Sequence, residues 1–375
     1  MKLIYLANIG LPANWAHEIQ IMKMCEAFAL AGAEVELVVP KRKKNTGQNI
    51  YEFYNVAENF KITQLPCFDL KKSSASRLVY WLKAFSFFRA AQAYLRGKKY
   101  DILYTREQLA GRFFKDFVLE IHFLPEPIRP FHKKIWQRTK FLVVITSYLK
   151  TALVSQGLTA DRVSVAPDGV NIDEFDPSVS QSEARQKTDL PPDKKIVLYA
   201  GSFYLRDWKG VDILLEAAKQ LDKDSLLVLV GGEKTEIENI KKQYPLPNLL
   251  LIERQPHHQI PYYLKAADVL VLPNKKGETI SEKYTSPMKL FEYLAAGRPI
   301  VASDLPSIRE VLSEAEAMLV QPNDPKALAD GIKKLLSDNG LAEKIARSGR
   351  QKVESYSWQG RAKNILNFYG EKNSR

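Results

Sequence analysis

The sequence predicts an α/β protein of two Rossmann-like domains, each a doubly wound parallel sheet, facing a central cleft. Three observations lead there. Short β-branched runs alternate with amphipathic helical stretches along the chain. The rhythm stops in a polar stretch at 171–192, rich in Asp, Ser and Pro, and then starts again. Ligands of open α/β sheets sit beyond the carboxyl ends of the strands, so two such sheets make a cleft.

In the first half, residues 2–8 form the first predicted strand. Residues 15–30 form a helix, with Ile19, Met22, Cys25 and Ala29 near helical spacing. Gly32 suits a left-handed helix stop. Strands follow at 34–39, 61–65, 102–105, 117–121, 141–145 and 163–166. In the second half, 195–200 is a new first strand and 210–220 a helix. Further strands are expected at 226–230, 249–252, 269–272, 300–302 and 317–320, with helices at 286–296, 307–312 and 325–337. The stretch 171–192 reads as a connector. The expected division is a first Rossmann-like domain over 1–170 and a second over 171–357, with a final helix at about 358–375 packing back on the first.

The 375 residues are 45% hydrophobic and 26% charged, which suits two cores of normal size. Apolar runs such as 226–230 fall far short of the roughly 20 residues of a membrane span. The first residues run straight into a strand and show no signal-peptide pattern, so a cytoplasmic location is expected. Cys25 and Cys67 predict neither a disulfide framework nor a zinc site, and Cys25 reads as core. The neighbours His257 and His258 fit no metal spacing. The net charge is +12, densest at Lys41-Arg42-Lys43-Lys44. No zinc finger, RNP or DNA-reading motif accompanies it, so nucleic acid is not an expected partner. A solvated loop and a contact with anionic ligands or membrane both remain open for that run.

Three loops of the second half are candidates for phosphate. The first runs from Gly201 and Ser202 through Arg206 and Lys209 to Gly210, between a strand and a helix. Gly201 permits close backbone approach, and Arg206 and Lys209 bring cationic charge to a helix start. A surface turn with solvated charges explains it equally well. The second, Gly231-Gly232 at a strand end, leaves room for a ligand but also suits a tight strand exit. The third runs from Tyr284 to Ser303. Ser286 is a natural N-cap and Pro287 fits the first helical position. The N–H groups of Met288 and Lys289 would then face a diphosphate. Glu292, one turn on among Phe291, Tyr293 and Leu294, offers a bidentate acceptor for a ribose diol.

This stretch resembles the glycosyltransferase group 1 family (GT-B fold, retaining), in which a helix-borne Glu follows an anion-binding turn. Residues 195–218, ending in Trp208-Lys209-Gly210, are similar to that family's donor-domain opening. In the first half the resemblance rests on Trp15-Ala16-His17-Glu18, Glu120-Ile121-His122 and Ala166-Pro167-Asp168-Gly169-Val170. It covers nearly the whole chain. It implies that Lys209, helped by Arg206, binds the donor diphosphate, that Glu292 binds ribose hydroxyls and that His122 lies beside the transferred sugar. The turn Gly10 to Asn14, with His17, matches the acceptor-side loop. Two departures stand out. Ser202 follows the glycine where the family often has Arg. Tyr284 stands where the first Glu of the E-x7-E motif contacts the sugar, and Glu282 is two residues off register.

The activity implied is sugar transfer from a nucleotide-diphospho-sugar with retention, the leaving diphosphate taking the acceptor proton on the same face. Lys209, Arg206 and the helix start would stabilise the leaving charge. No Asp-x-Asp motif sits at a strand end, so neither a divalent metal nor another cofactor is expected. The expected acceptor is a glycan or a lipid-linked glycan. The aromatic-rich helix at 77–96 reads as a core helix of the first domain. Its alternative is an interfacial helix in peripheral contact with an anionic membrane. Three competing readings are a sugar-nucleotide epimerase of the same fold, a non-catalytic partner subunit and a Rossmann dehydrogenase. No GxGxxG follows the first strand, which counts against the dehydrogenase.

Overall fold

The computed structural model describes residues 1–13, 15–42, 49–68, 77–205 and 207–373. Asn14 and Arg206, both expected at the site, lie outside the described residues, as do Lys43, Lys44, Lys71 and Lys72.

The chain divides into two compact units, one of Met1–Pro167 with Trp358–Arg375 and one of Asp168–Ser357. In the first, seven strands form one sheet: β1 (Lys2–Leu6), β2 (Glu34–Pro40), β3 (Lys61–Leu65), β4 (Ile102–Thr105), β5 (Phe117–Ile121), β6 (Thr139–Val144) and β7 (Val163–Val165). Their order is β3-β2-β1-β4-β5-β6-β7, and every pair is parallel. The second unit holds β8 (Lys195–Ala200), β9 (Ser225–Gly232), β10 (Leu249–Glu253), β11 (Val269–Leu272), β12 (Ile300–Ser303) and β13 (Met318–Val320), in the order β10-β9-β8-β11-β12-β13. In both sheets the order reverses beside the first strand of the unit, which places a ligand crevice at the carboxyl ends of β1 and β8.

Burial explains the apolar runs. Strands of a parallel sheet are covered on both faces, so alternation of polar and apolar residues is lost. In β8, Ile196, Leu198 and Ala200 enter one core with Leu290 and Leu294, while Val197 and Tyr199 enter the other with Leu214 and Ile332. The helix Trp358–Asn373 closes the first unit. Tyr369 donates to the Asp101 carbonyl at 2.6 Å, and Arg361 donates to the carbonyls of Ala166 and Pro167 at 3.2 and 2.9 Å.

Four sequence expectations are corrected. The stretch 171–192 is not a mere connector. It folds into the helices Ile172–Phe175 and Gln181–Lys187, and Phe175, Ala184 and Leu190 join the core of the second unit. The Ser180 and Glu183 pair forms a capping box, a signal present in the sequence. The helix expected at 286–296 spans Met288–Ala295, because Pro287 is extended at ψ 123° and takes the cap position. Ser286 is therefore not the N-cap, and its hydroxyl instead accepts the Asp168 N–H at 3.1 Å. The helix at 307–312 is only the turn Pro306–Arg309. Finally, the helix Arg77–Leu95 is core only in its later part. Ala84, Phe87, Phe88, Ala91 and Leu95 are buried, whereas Tyr80, Trp81, Leu82 and Phe85 are exposed. No described helix is long and apolar enough to cross a membrane.

Candidate functional site

The second unit gathers its expected residues at the carboxyl end of β8. Gly201 has φ 145°, a conformation open to glycine. A Cβ there would lie 2.5 Å from Lys289 Nζ. Gly231, at φ 120°, makes a similar allowance for the chain itself, since its Cβ would lie 2.7 Å from the Gly201 carbonyl oxygen. The two glycines thus let the ends of β8 and β9 close on each other, and a lysine ammonium takes the remaining space. Gly210, at φ 71°, turns the chain into the helix Val211–Ala218 and brings Lys209 back. Lys209 Nζ donates to Ser202 Oγ at 2.5 Å.

Lys209 thus meets a second lysine, Lys289, which sequence reasoning named only for its backbone N–H. Lys289 Nζ stands 3.9 Å from the centre of the Tyr199 ring. Burial and the nearby Lys209 charge push its pKa down to about 7. Burial also lowers the pKa of Lys209. Among the described residues neither lysine has a carboxylate within ion-pair distance. The helix Met288–Ala295 begins beside them with no side-chain cap, so its first N–H groups look to an outside acceptor. Cations, tight backbone and an open helix start make a site for an anion.

Glu292 lies one turn along this helix and is only 8% exposed. Its partner was not foreseen. His257 Nε2 lies 3.3 Å from Glu292 Oε1, and His257 Nδ1 lies 3.6 Å from Glu174 Oε1. The ring also packs edge-on against Phe175. Burial alone would lower the imidazole pKa, but the two carboxylates outweigh it and raise it to about 9. The two carboxylates thus favour the imidazolium form of the part-buried His257, which holds the Glu292 carboxylate. Tyr284 ends a helical turn, Ile280–Tyr284, and Glu282 in the same turn accepts the Gly277 N–H at 2.7 Å. The Glu282 carboxylate is therefore engaged in holding its own loop.

A raised pKa means that folding favours the proton. The contribution of His257 is full below about pH 6.5 and is lost as pH rises through about 9. We expect melting of the wild-type chain to lose up to roughly 3 kcal/mol across this window from this one group. The variant His257→Gln should flatten that part of the Tm against pH curve, and identical curves would refute the charged imidazole.

In the first unit, Glu120 at the end of β5 organises a buried polar cluster. Glu120 accepts from Gln20 Nε2 at 2.8 Å, from Arg361 Nη2 at 3.0 Å and from the Tyr104 hydroxyl. His122 Nε2 lies 2.5 Å from its Oε1. Burial opposes the charge on Glu120, yet Arg361 and His122 hold its pKa well below the usual range. Arg106 Nη1 donates to Gln20 at 2.8 Å and completes the set. His17 lies in the same cavity as His122, and burial with the Arg106 and His122 charges lowers its pKa to about 4. Both histidines are thus brought together. The contact of Glu120 with His122 is local, since His122 follows directly on the end of β5. Arg361 was not, being 241 residues away along the chain. At Gly10 the missing side chain leaves room for Arg42, whose Cδ would stand 3.0 Å from a Cβ.

Comparison with known proteins bears on the family and the fold. Residues 180–352 match the family model described as glycosyl transferases group 1. A D-inositol 3-phosphate glycosyltransferase of Xylanimonas cellulosilytica is 28% identical over 58% of this chain and 54% of its own length. A phosphatidyl-myo-inositol mannosyltransferase of Mycobacterium leprae is 31% identical over 64% of this chain and 61% of its own. The chain thus matches somewhat over half the length of these curated relatives. Among solved structures, a sucrose-phosphate synthase from Thermosynechococcus elongatus shares the fold with a TM-score of 0.81 at 22% identity, covering 100% of this chain and 99% of that one. An Anabaena protein, HepE, solved in complex with UDP and glucose, shares it at 0.75 and 16% identity, with the same coverage. These likenesses establish the two-sheet GT-B architecture expected from the sequence. The segment 180–352, which carries the two-lysine cradle and Glu292, is thus similar to the glycosyl transferases group 1 family.

Proposed function

We propose that the chain is a retaining glycosyltransferase. It moves a sugar from a nucleotide-diphospho-sugar to a glycan or lipid-linked acceptor, in cell-surface polysaccharide or glycolipid synthesis. The observation that carries this reading is the cradle of Lys209, Lys289 and an uncapped helix start, followed one turn on by Glu292 held by His257. Two lysines without a carboxylate partner among the described residues, set at a helix start, suit a diphosphate, and a fixed carboxylate suits a vicinal diol. The relatives add support, being a D-inositol 3-phosphate glycosyltransferase and a phosphatidyl-myo-inositol mannosyltransferase.

In this reading the bond from the anomeric carbon to the diphosphate oxygen breaks, and the acceptor oxygen bonds to the same face. The acceptor proton passes to the departing diphosphate oxygen. Lys209 and Lys289 neutralise the charge that develops there, which is the service a divalent cation would otherwise supply. His122, oriented by Glu120, lies beside the sugar. His17 and the Gly10 turn face the acceptor. Peripheral contact with an anionic membrane through the exposed face of Arg77–Leu95 suits a lipid-linked acceptor.

A thermal-shift screen with UDP, GDP, ADP and their sugar conjugates tests the donor side, because ligand binding raises apparent stability. One nucleotide should raise Tm, and EDTA should leave both that shift and turnover unchanged. No shift with any nucleotide, or an activity that needs added metal after EDTA, would overturn the reading.

A further inference from the structure

The first unit contains a cavity of about 1080 Å³, whose lining includes His17 and His122. Its walls carry Arg106, Arg112, Arg129, Lys134 and Arg138. Facing these five cations are three carboxylates, Glu107, Glu120 and Glu126. Glu120 is consumed by its bonds with Arg361, Gln20, Tyr104 and His122. Burial pushes the pKa of Glu107 up, against the opposing pull of Arg106. The cavity therefore keeps a cationic surplus. Among the described residues Arg112, Arg129, Lys134 and Arg138 have no ion-pair partner, and Arg138 Nε is buried without a hydrogen-bond acceptor. A buried guanidinium nitrogen left unpaired is costly, and an anion entering the cavity would remove that cost.

The rest of the lining is aromatic and open to solvent. Tyr80 and Trp81 come from the exposed part of Arg77–Leu95, and Phe123 and Phe131 line the same cavity. Their exposures are 57%, 39%, 58% and 47%. Exposed aromatics gathered at one cavity mark a surface meant to be covered. Sugar rings alone do not need five cations, and a phosphate alone does not need four exposed rings.

We infer that this cavity is the acceptor subsite and that its occupant carries a phosphate-type anion on an apolar tail. This rests on the glycosyltransferase reading and names the acceptor class for it. The cations hold the phosphate so that the acceptor hydroxyl points toward His122, and the aromatic rim holds the first part of the tail. A free phosphate would use only the cations, and a neutral amphiphile only the rim.

Calorimetric titration of the full chain with dodecyl phosphate, dodecyl maltoside and inorganic phosphate, each below micellar concentration, separates these cases. Dodecyl phosphate should bind at least tenfold more tightly than either of the others. The variant Arg112→Ser/Arg129→Ser should bring it near the maltoside affinity, and Trp81→Ser should bring it toward the inorganic phosphate affinity. Equal binding of maltoside, equal binding of inorganic phosphate, or variants that bind like wild type would each overturn the inference. The thermal shift with nucleotide reports on the second unit and should be unchanged in both variants, and a wild-type circular dichroism spectrum with cooperative melting shows that the first unit folds. If the wild type shifts with no nucleotide, the donor reading fails, while the dodecyl phosphate comparison still decides the chemistry of the cavity.

Discussion

Replacing Glu292 by Ala is expected to weaken nucleoside diphosphate binding by about 30- to 150-fold, since a charge-assisted hydrogen-bonded contact contributes roughly 2 to 3 kcal/mol. The physical case is positional. Glu292 is nearly buried and its rotamer is set by His257, so its oxygens need little reordering when a diol arrives. The loss should fall on the ribose. The wild type should prefer the ribonucleotide over its 2′-deoxy form, and Glu292→Ala should erase that preference while inorganic pyrophosphate binds as before. The variant also leaves the His257 imidazolium with one carboxylate instead of two, so its Tm must be compared. Glu292→Gln keeps the shape and separates lost charge from lost packing. Unchanged nucleotide affinity in a folded Glu292→Ala would remove the ribose assignment.

Replacing Lys209 by Ala is expected to lower kcat by about 10²- to 10³-fold, the size seen when one preorganised donor to a developing oxyanion is removed. The effect should be larger on kcat than on KM, because leaving-group charge is greatest in the transition state. Lys289 makes the test sharper. With the Lys209 charge gone, one cause of its depressed pKa disappears and its pKa should rise. In the wild type, free enzyme near pH 8 holds Lys289 largely neutral, and a diphosphate arriving beside it should restore the proton. Calorimetry in buffers of different ionisation enthalpy should therefore show proton uptake on nucleotide binding above pH 7. No buffer dependence, with normal affinity, would place the diphosphate elsewhere.

Much of the site was legible in the sequence because the local signals are local chemistry. Glu292 stood out as a carboxylate in an otherwise apolar turn, and Lys209 preceded a glycine at a helix start. Ser286 was misread as a cap because the residue pattern fits one. Whether Pro287 begins the helix depends on its ψ, which is extended, and the Ser286 hydroxyl accepts the Asp168 N–H instead of capping. Lys289 was read for its N–H alone. That its ammonium folds onto Gly201 and the Tyr199 ring follows from the closing of β8 against the helix. His257 had no spacing to flag it, lying 35 residues from Glu292.

By itself the sequence determined the two parallel sheets and their strands. Burial on both faces of a parallel strand writes a continuous apolar run into adjacent residues, and helical periodicity is equally short in range. It also determined which turns could bind an anion, because glycine and helix-start chemistry act within a few residues. Only the tertiary structure decided which charges meet. Burial and proximity, not spacing along the chain, shift a pKa. The His257 imidazolium between Glu174 and Glu292, the paired lysines, Arg361 against Glu120 and the cationic aromatic cavity all join residues from distant parts of the chain.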